Sequence, residues 1–270
     1  MTPLRHPDSD NGESAELYRP VLASLHDAGI PFVVGGTYAL ERLAGFARHT
    51  KDLDLFVLRE DWPRIEVALA QVGVEARIEF SHWIGKATRG QDFVDLIFAG
   101  GNGLVRVDEE WITHGTPGIV LGVPVHICPA EEMIWSKAFV MERERFDGAD
   151  VLHIIRRSGR EIDWRRLVRR FADHGNVLLA HLVLFLFAYP DATDLVPEWV
   201  LDDLWSRRAV TAAMVDRVCR GTLLSRAQYL VDVHGWGYAD ARLPPHGHMT
   251  DDEIATWTAA VEPAMVPSPT

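Results

Sequence analysis

The sequence predicts an α+β fold: a small mixed β-sheet flanked by helices over residues 15–128, then a helical domain over residues 129–261. Three observations predict it. Short apolar runs bounded by Gly, Pro and Asp recur through the first half, the pattern of strands and turns. After Pro129 the apolar residues recur at helical spacing. The composition, 47% hydrophobic and 24% charged over 270 residues, is that of a globular chain long enough to bury a core.

The polar stretch 1–14 reads as a disordered lead-in. A helix follows from Glu16 to Ala28, with Leu17, Val21, Leu22 and Leu25 on one face and Gly29 as its stop. Phe32-Val33-Val34 reads as a buried strand broken by Gly35-Gly36. Thr37 is then a candidate cap for a helix through Leu43, stopped by Gly45. A second strand spans Asp52–Leu58, and Asp61 starts a helix to about Gln71, with Pro63 in its first turn. Val74–Phe80 and Phe93–Phe98 read as strands with a turn over Gly85–Gly90. A short β segment covers Ile119–Ile127, and Gly100-Gly101-Asn102-Gly103 is a turn. Helices are expected over about 130–144, 147–158, 163–174, 176–189, 197–208 and 210–218, with Asp163 a good N-cap. Residues 262–270 read as a flexible tail.

The charge balance narrows the function. With 27 basic and 39 acidic side chains the formal net charge is −12, against broad nonspecific binding to nucleic acid. Only Lys51, Lys86 and Lys137 are lysines. Cys128 and Cys219 cannot make a disulfide framework and fit a reducing compartment. The first residues lack a signal peptide's apolar core. The longest apolar run, Val177–Tyr189, is shorter than the roughly 20 residues that cross a bilayer. A cytoplasmic protein with no membrane partner is the expectation.

The informative stretch is Phe32–Val57, FVVGGTYALERLAGFARHTKDLDLFV. Strand side chains alternate, so Asp52 and Asp54 share a face while Leu53 and Leu55 point the other way. Two adjacent carboxylates repel, and a divalent cation is the usual compensation. Mg²⁺ binds through one or two carboxylates and keeps waters and phosphates as further ligands. A strand ending in Gly35-Gly36 before a helix lets backbone N–H groups approach a phosphate, and Thr37 adds a hydroxyl. Phosphate donors beside a carboxylate pair describe a site for a nucleoside triphosphate.

These residues resemble the nucleotidyltransferases of the DNA polymerase β superfamily, whose signature is Gly-Gly or Gly-Ser at a helix start followed by an Asp-x-Asp strand. The run is most similar to the bacterial branch of abortive-infection-type and minimal nucleotidyltransferases. Its Arg-x-Thr-x-Asp lead-in stands here as Arg48-His49-Thr50-Lys51-Asp52. The motif covers about a tenth of the chain. The resemblance implies a nucleotidyltransferase core over 15–128 and transfer of a nucleoside monophosphate from Mg-NTP to an acceptor hydroxyl, releasing pyrophosphate. It implies a two-metal Mg²⁺ site on Asp52, Asp54 and a third carboxylate on a later strand. Asp95 in DFVDLIF fits that place better than Asp92, which lies at the strand edge on the opposite face. Gly35, Gly36 and Thr37 would hold phosphates, Lys137 would reach the triphosphate, and Arg48 is a further substrate-binding candidate. The acceptor is a small molecule, tRNA or a protein; the toxin-type reading adds an antitoxin partner. A nucleotide-binding module without turnover is the alternative.

Other features carry less. No histidine pair has the spacing of a zinc protease helix, and His153, His174 and His181 fall on helices as core or surface residues. Arg165, Arg166, Arg169 and Arg170 form the charged face of an amphipathic helix, read as solvated, with an RNA-contacting stripe as the sharper alternative. Arg143, Arg145, Asp147 and Asp150 are read equally as an acceptor or phosphate site and as a salt-bridge cluster. Trp236 and Tyr238 are expected to pack the C-terminal segment against the helical half.

Overall fold

The structure is a computed structural model in which residues 12–46, 52–212 and 217–260 are described. The chain divides into two compact units, Met1–Gly100 with Arg106–Pro129, and Gly101–Val105 with Ala130–Thr270.

The first unit is a seven-stranded mixed sheet with helices. Its strands are β1 (Phe32–Val34), β2 (Asp54–Val57), β3 (Glu75–Phe80), β4 (Ile84–Arg89), β5 (Asp92–Ile97), β6 (Thr116–Val120) and β7 (Val123–Ile127), in the order β3-β4-β5-β2-β1-β7-β6. β2 runs antiparallel to β1 and parallel to β5, and β1 runs parallel to β7. Its helices are α1 (Gly12–Asp27), α2 (Gly36–Ala44), α3 (Trp62–Gln71) and the five-residue α4 (Glu109–Thr113). α1 brings Leu17, Val21, Leu22 and Leu25 into the core, where Leu53, Leu55 and Val57 are also fully buried. Burying such side chains is the main favourable term in folding this layer. On the other sheet face Phe56 meets Trp111 of α4, ring centroids 4.5 Å apart.

Three sequence readings in this unit need correction. Residues 84–89 are not a turn but β4, the strand between β3 and β5. Its glycine misled the reading, yet Gly85 is there for packing, since a Cβ would fall 2.1 Å from the Trp62 ring. The single β segment over Ile119–Ile127 is a hairpin, β6–β7, reversed at Leu121 and Gly122, both at positive φ. And α2 is capped by Gly35, with no side-chain hydrogen bond, so Thr37 lies inside the first turn rather than at the cap.

The second unit contains α5 (Ala130–Ala138), α6 (Gly148–Ser158), α7 (Trp164–Phe171), α8 (Gly175–Ala188), α9 (Glu198–Ala212), α10 (Leu230–His234), α11 (Asp251–Ala259) and the parallel strand pair β8 (Val218–Cys219) and β9 (Ala239–Asp240). Its core holds Val151, Ile154, Ile155, Leu167, Phe171, Leu178, Leu182 and Phe185. α5 ends well before residue 144, and the chain turns back through a bridge between Met141 and Phe146. Of the helix expected over 210–218, residues 210–212 belong to α9 and Val218 opens β8; 213–216 lie outside the described residues.

The arginine face of α7 is not uniformly solvated. Arg166 is buried and donates to Glu132 at 2.8 Å and to Glu131 at 2.5 Å, and Arg170 Nε donates to Glu132 at 3.0 Å. Burial pushes the Glu132 carboxyl above its ordinary value against the pull of both arginines. Trp236 also departs from expectation: it is exposed rather than packed. The stretch Trp164–Ala188 is long and apolar enough to cross a membrane by length and composition. In the fold it is broken at Ala172, whose φ is +43°, and its His181 Nε2 lies 2.9 Å from the Ala138 carbonyl in the core.

Candidate active site

The site grows from the β1–α2–β2 unit. β1 ends at Val34, Gly35 turns the chain and its N–H bonds the Asp54 carbonyl at 2.9 Å, and α2 begins at once. The first hydrogen bond closing the helix is Ala39 N–H to the Gly35 carbonyl, so the earlier N–H groups of α2 have no partner within the helix. The positive end of the helix dipole falls there too. A side chain at either glycine would collide with a neighbour. A Cβ at Gly35 would lie 2.3 Å from the Phe56 ring. One at Gly36, where φ is +51°, would lie 1.9 Å from Asp54 Oδ2. The Asp54 carboxylate therefore rests against the bare Cα of Gly36 at the start of α2.

The third carboxylate is delivered by strand register. β2 and β5 pair in parallel with Asp54 directly opposite Asp95, and the Asp95 N–H bonds the Leu53 carbonyl at 2.9 Å. Asp52 lies just before β2 and is close enough to act electrostatically on Asp95. Burial is the main cause raising the Asp95 carboxyl above its ordinary value; the Lys86 ammonium opposes the rise, and Asp52 and Glu79 add to it. Asp92 faces Arg89 at the far end of the β4–β5 ladder.

A divalent cation is the group these carboxylates would hold, and the donors fit it in kind. They are hard oxygens, two of the residues stand side by side across a ladder, and the buried Asp95 Oδ1 has no hydrogen-bond partner. Among the described residues no three His, Cys, Asp or Glu side chains are gathered closely enough to hold a metal. Two carboxylates are enough for a hard divalent cation that completes its shell with water and phosphate.

Of the residues singled out from the sequence, Gly35, Gly36, Thr37, Asp52, Asp54 and Asp95 all belong to the first unit, around the start of α2 and the β2–β5 ladder. Lys137 belongs to the second unit, where its ammonium is 2.9 Å from Asp147 and 3.0 Å from Asp150. Arg145 completes that group, bonding Asp147 at 2.7 Å, so an ion-pair cluster is what the structure shows there. Arg48 lies outside the described residues.

The residue that sequence reading missed is Lys86. It stands opposite Asp95 in the β4–β5 ladder, with its Nζ 3.3 Å from Asp95 Oδ1 and 3.5 Å from Glu79 Oε2. Its charge also lies 4.0 Å from the centroid of the Phe93 ring. Recognising 84–89 as a strand would have placed it there.

No protein-family model matches the sequence, and no curated protein matches it. Several solved structures do. The antibiotic-resistance factor ANT(2'')-Ia matches 73% of this chain over 94% of its own, at 19% identity and a TM-score of 0.39. The lincosamide antibiotic adenylyltransferase LnuA, with lincomycin bound, matches 53% of this chain over 95% of its own, at 11% identity and a TM-score of 0.37. An antigenic nucleotidyltransferase-like protein from Paracoccidioides brasiliensis matches 68% of this chain over 92% of its own, at 16% identity and a TM-score of 0.41. The solved structures similar to this chain thus include nucleotidyltransferases and a nucleotidyltransferase-like protein.

Proposed function

We propose that the protein transfers a nucleoside monophosphate from an NTP to an acceptor hydroxyl and releases pyrophosphate. The observation that carries the reading is the contact of Asp54 with the Cα of Gly36, in register with Asp95. It sets carboxylates for a cation against helix N–H groups suited to phosphate.

The α2 N-terminus, with Gly35, Gly36 and Thr37, would bind the triphosphate. Of Asp52, Asp54 and Asp95, the facing pair Asp54 and Asp95 would hold Mg²⁺ with Asp52 beside them, and the cation would neutralise phosphate charge there. Asp95, facing Asp54 across the β2–β5 ladder, would take the proton of the attacking hydroxyl. The new bond joins that oxygen to the α-phosphorus, and the α–β bridge bond breaks to release pyrophosphate. Holding acceptor and NTP in line supplies much of the acceleration.

For the acceptor, a hydroxylated small molecule is the reading we favour over tRNA or a protein. The net charge is −12, and burial of Arg166 removes part of the basic stripe that favoured RNA. Cys128 and Cys219 are buried and take part in no disulfide, which suits a reducing, cytoplasmic setting.

The test is incubation with each labelled NTP, Mg²⁺ and a cell extract, following label and pyrophosphate. The expected result is one labelled acceptor, lost in Asp54→Asn. Undiminished transfer by Asp54→Asn overturns the assignment. NTP binding without pyrophosphate release across the extract favours a module without turnover.

A further inference from the structure

We infer that Lys86 is a positioning residue that competes with the divalent cation for Asp95, and that Glu79 receives its ammonium when the cation binds. This rests on the metal-dependent reading of the Asp52, Asp54 and Asp95 site.

Three features of Lys86 point this way. First, it is aimed at Asp95 by the fold: the two face each other in the antiparallel β4–β5 ladder, and the backbone holds them in that relation. Second, the pair is loose. Nζ is 3.3 Å from Asp95 Oδ1, against 2.9 and 3.0 Å for Lys137 on Asp147 and Asp150. A longer ion pair gives up its partner more easily than a short one. Third, a second acceptor is within reach. Glu79 Oε2 lies 3.5 Å from the same ammonium, and its side chain is 44% exposed against 14% for Asp95.

The electrostatics follow. A single positive charge cannot match a divalent one at the same carboxylate, since Coulomb attraction scales with charge. As a cation takes Asp95, the ammonium has to leave, because two positive groups at one buried carboxylate repel. The nearby Phe93 ring face and the Glu79 carboxylate keep it on the sheet rather than in bulk water. Lys86 therefore lowers the metal affinity of the empty site and neutralises Asp95 while no metal is present. Glu79 has the opposite effect, because without it Lys86 has only Asp95 to pair with.

The two residues thus carry opposite signs, which a structural role would not produce. Mn²⁺ binding to the full-length protein, followed by titration calorimetry and by loss of the free-ion paramagnetic signal, tests them. Lys86→Met is expected to tighten the Kd about twofold to fivefold, the range of a partly exposed ion pair. Glu79→Gln is expected to weaken it about twofold, Lys86→Arg to leave it near the wild-type value, and added salt to shrink all the differences. If Lys86→Met fails to fold, Glu79→Gln still decides, because its side chain is half solvated. One common Kd for all the proteins, or a weaker one for Lys86→Met, overturns the inference and leaves the nucleotidyl-transfer reading standing. No Mn²⁺ binding by any of them, wild type included, overturns both.

Discussion

Asp54 and Gly36 are in contact across the β2–α2 junction: the carboxylate occupies the space that a side chain at position 36 would need. The backbone there is also left-handed, at φ +51°. Gly36→Ala is therefore expected to lose at least about 1–3 kcal/mol of stability from strain alone. It should also displace the Asp54 carboxylate and abolish NTP binding. Urea unfolding and a nucleotide-binding titration check the two effects separately, and wild-type nucleotide affinity in a folded Gly36→Ala protein would count against the contact.

Asp95→Asn separates activity from stability. It removes a part-buried charge that Asp52 repels, and Lys86 keeps Glu79 as a partner. Transfer is expected to fall by about 10²-fold or more, while the melting temperature holds or rises by about 1–3 °C. The sign with pH is fixed. The folded-state pKa of Asp95 is raised, so above the unfolded value of about 3.9 the native state binds more protons than the unfolded chain. Its ionisation then costs stability as pH climbs through the folded value. The gain of Asp95→Asn should appear above that window and vanish below it, as paired melting curves across pH would show.

Asp147 behaves in the opposite sense. Burial alone would raise its pKa, but the hydrogen bonds from Arg145 and the charges of Lys137 and Arg145 outweigh it and hold the carboxyl below its ordinary value. Its stabilisation is present above the unfolded value and is lost as pH falls through the folded one. Asp147→Asn is expected to cost about 3–5 kcal/mol at neutral pH. The deficit should shrink on acidification below about pH 4, measured as the difference in denaturation midpoints.

Arg166→Met should be strongly damaging to the second unit. It leaves Glu131 without its 2.5 Å partner and Glu132 with Arg170 alone, all three side chains being buried. Breaking such a network from one side costs about 3–5 kcal/mol. A urea midpoint within error of wild type would show that Glu131 and Glu132 are compensated by something other than Arg166.

The β1–α2–β2 unit was legible because its signals are local. A short apolar run, paired glycines and an alternating Asp-Leu-Asp are each decided within a few residues, and Phe32–Val34 and Gly36–Ala44 form as expected. What was missed depends on partners distant in sequence. β4 reads as a turn because Gly85, Lys86, Thr88 and Arg89 look like loop residues. Only the neighbouring β3 and β5 make a strand of it, and only then does Lys86 meet Asp95. α4 was missed because five residues hold no periodicity, although Asp108 caps it by accepting from the Glu110 N–H at 3.0 Å. The arginines of α7 look like a solvated face from spacing alone; that Arg166 is buried depends on Glu131 and Glu132, over thirty residues away.

The parallel register of β2 with β5 has one more consequence. The two strands are joined through α3 and the β3–β4 hairpin, so Asp54 and Asp95 become neighbours only after that whole excursion has folded back. A nascent or partly unfolded chain that holds only the β1–α2–β2 unit carries Asp52 and Asp54 but lacks their counterpart. On the proposed function, cation capture would therefore wait on the pairing of β2 with β5, and a chain without that pairing would bind neither metal nor substrate productively.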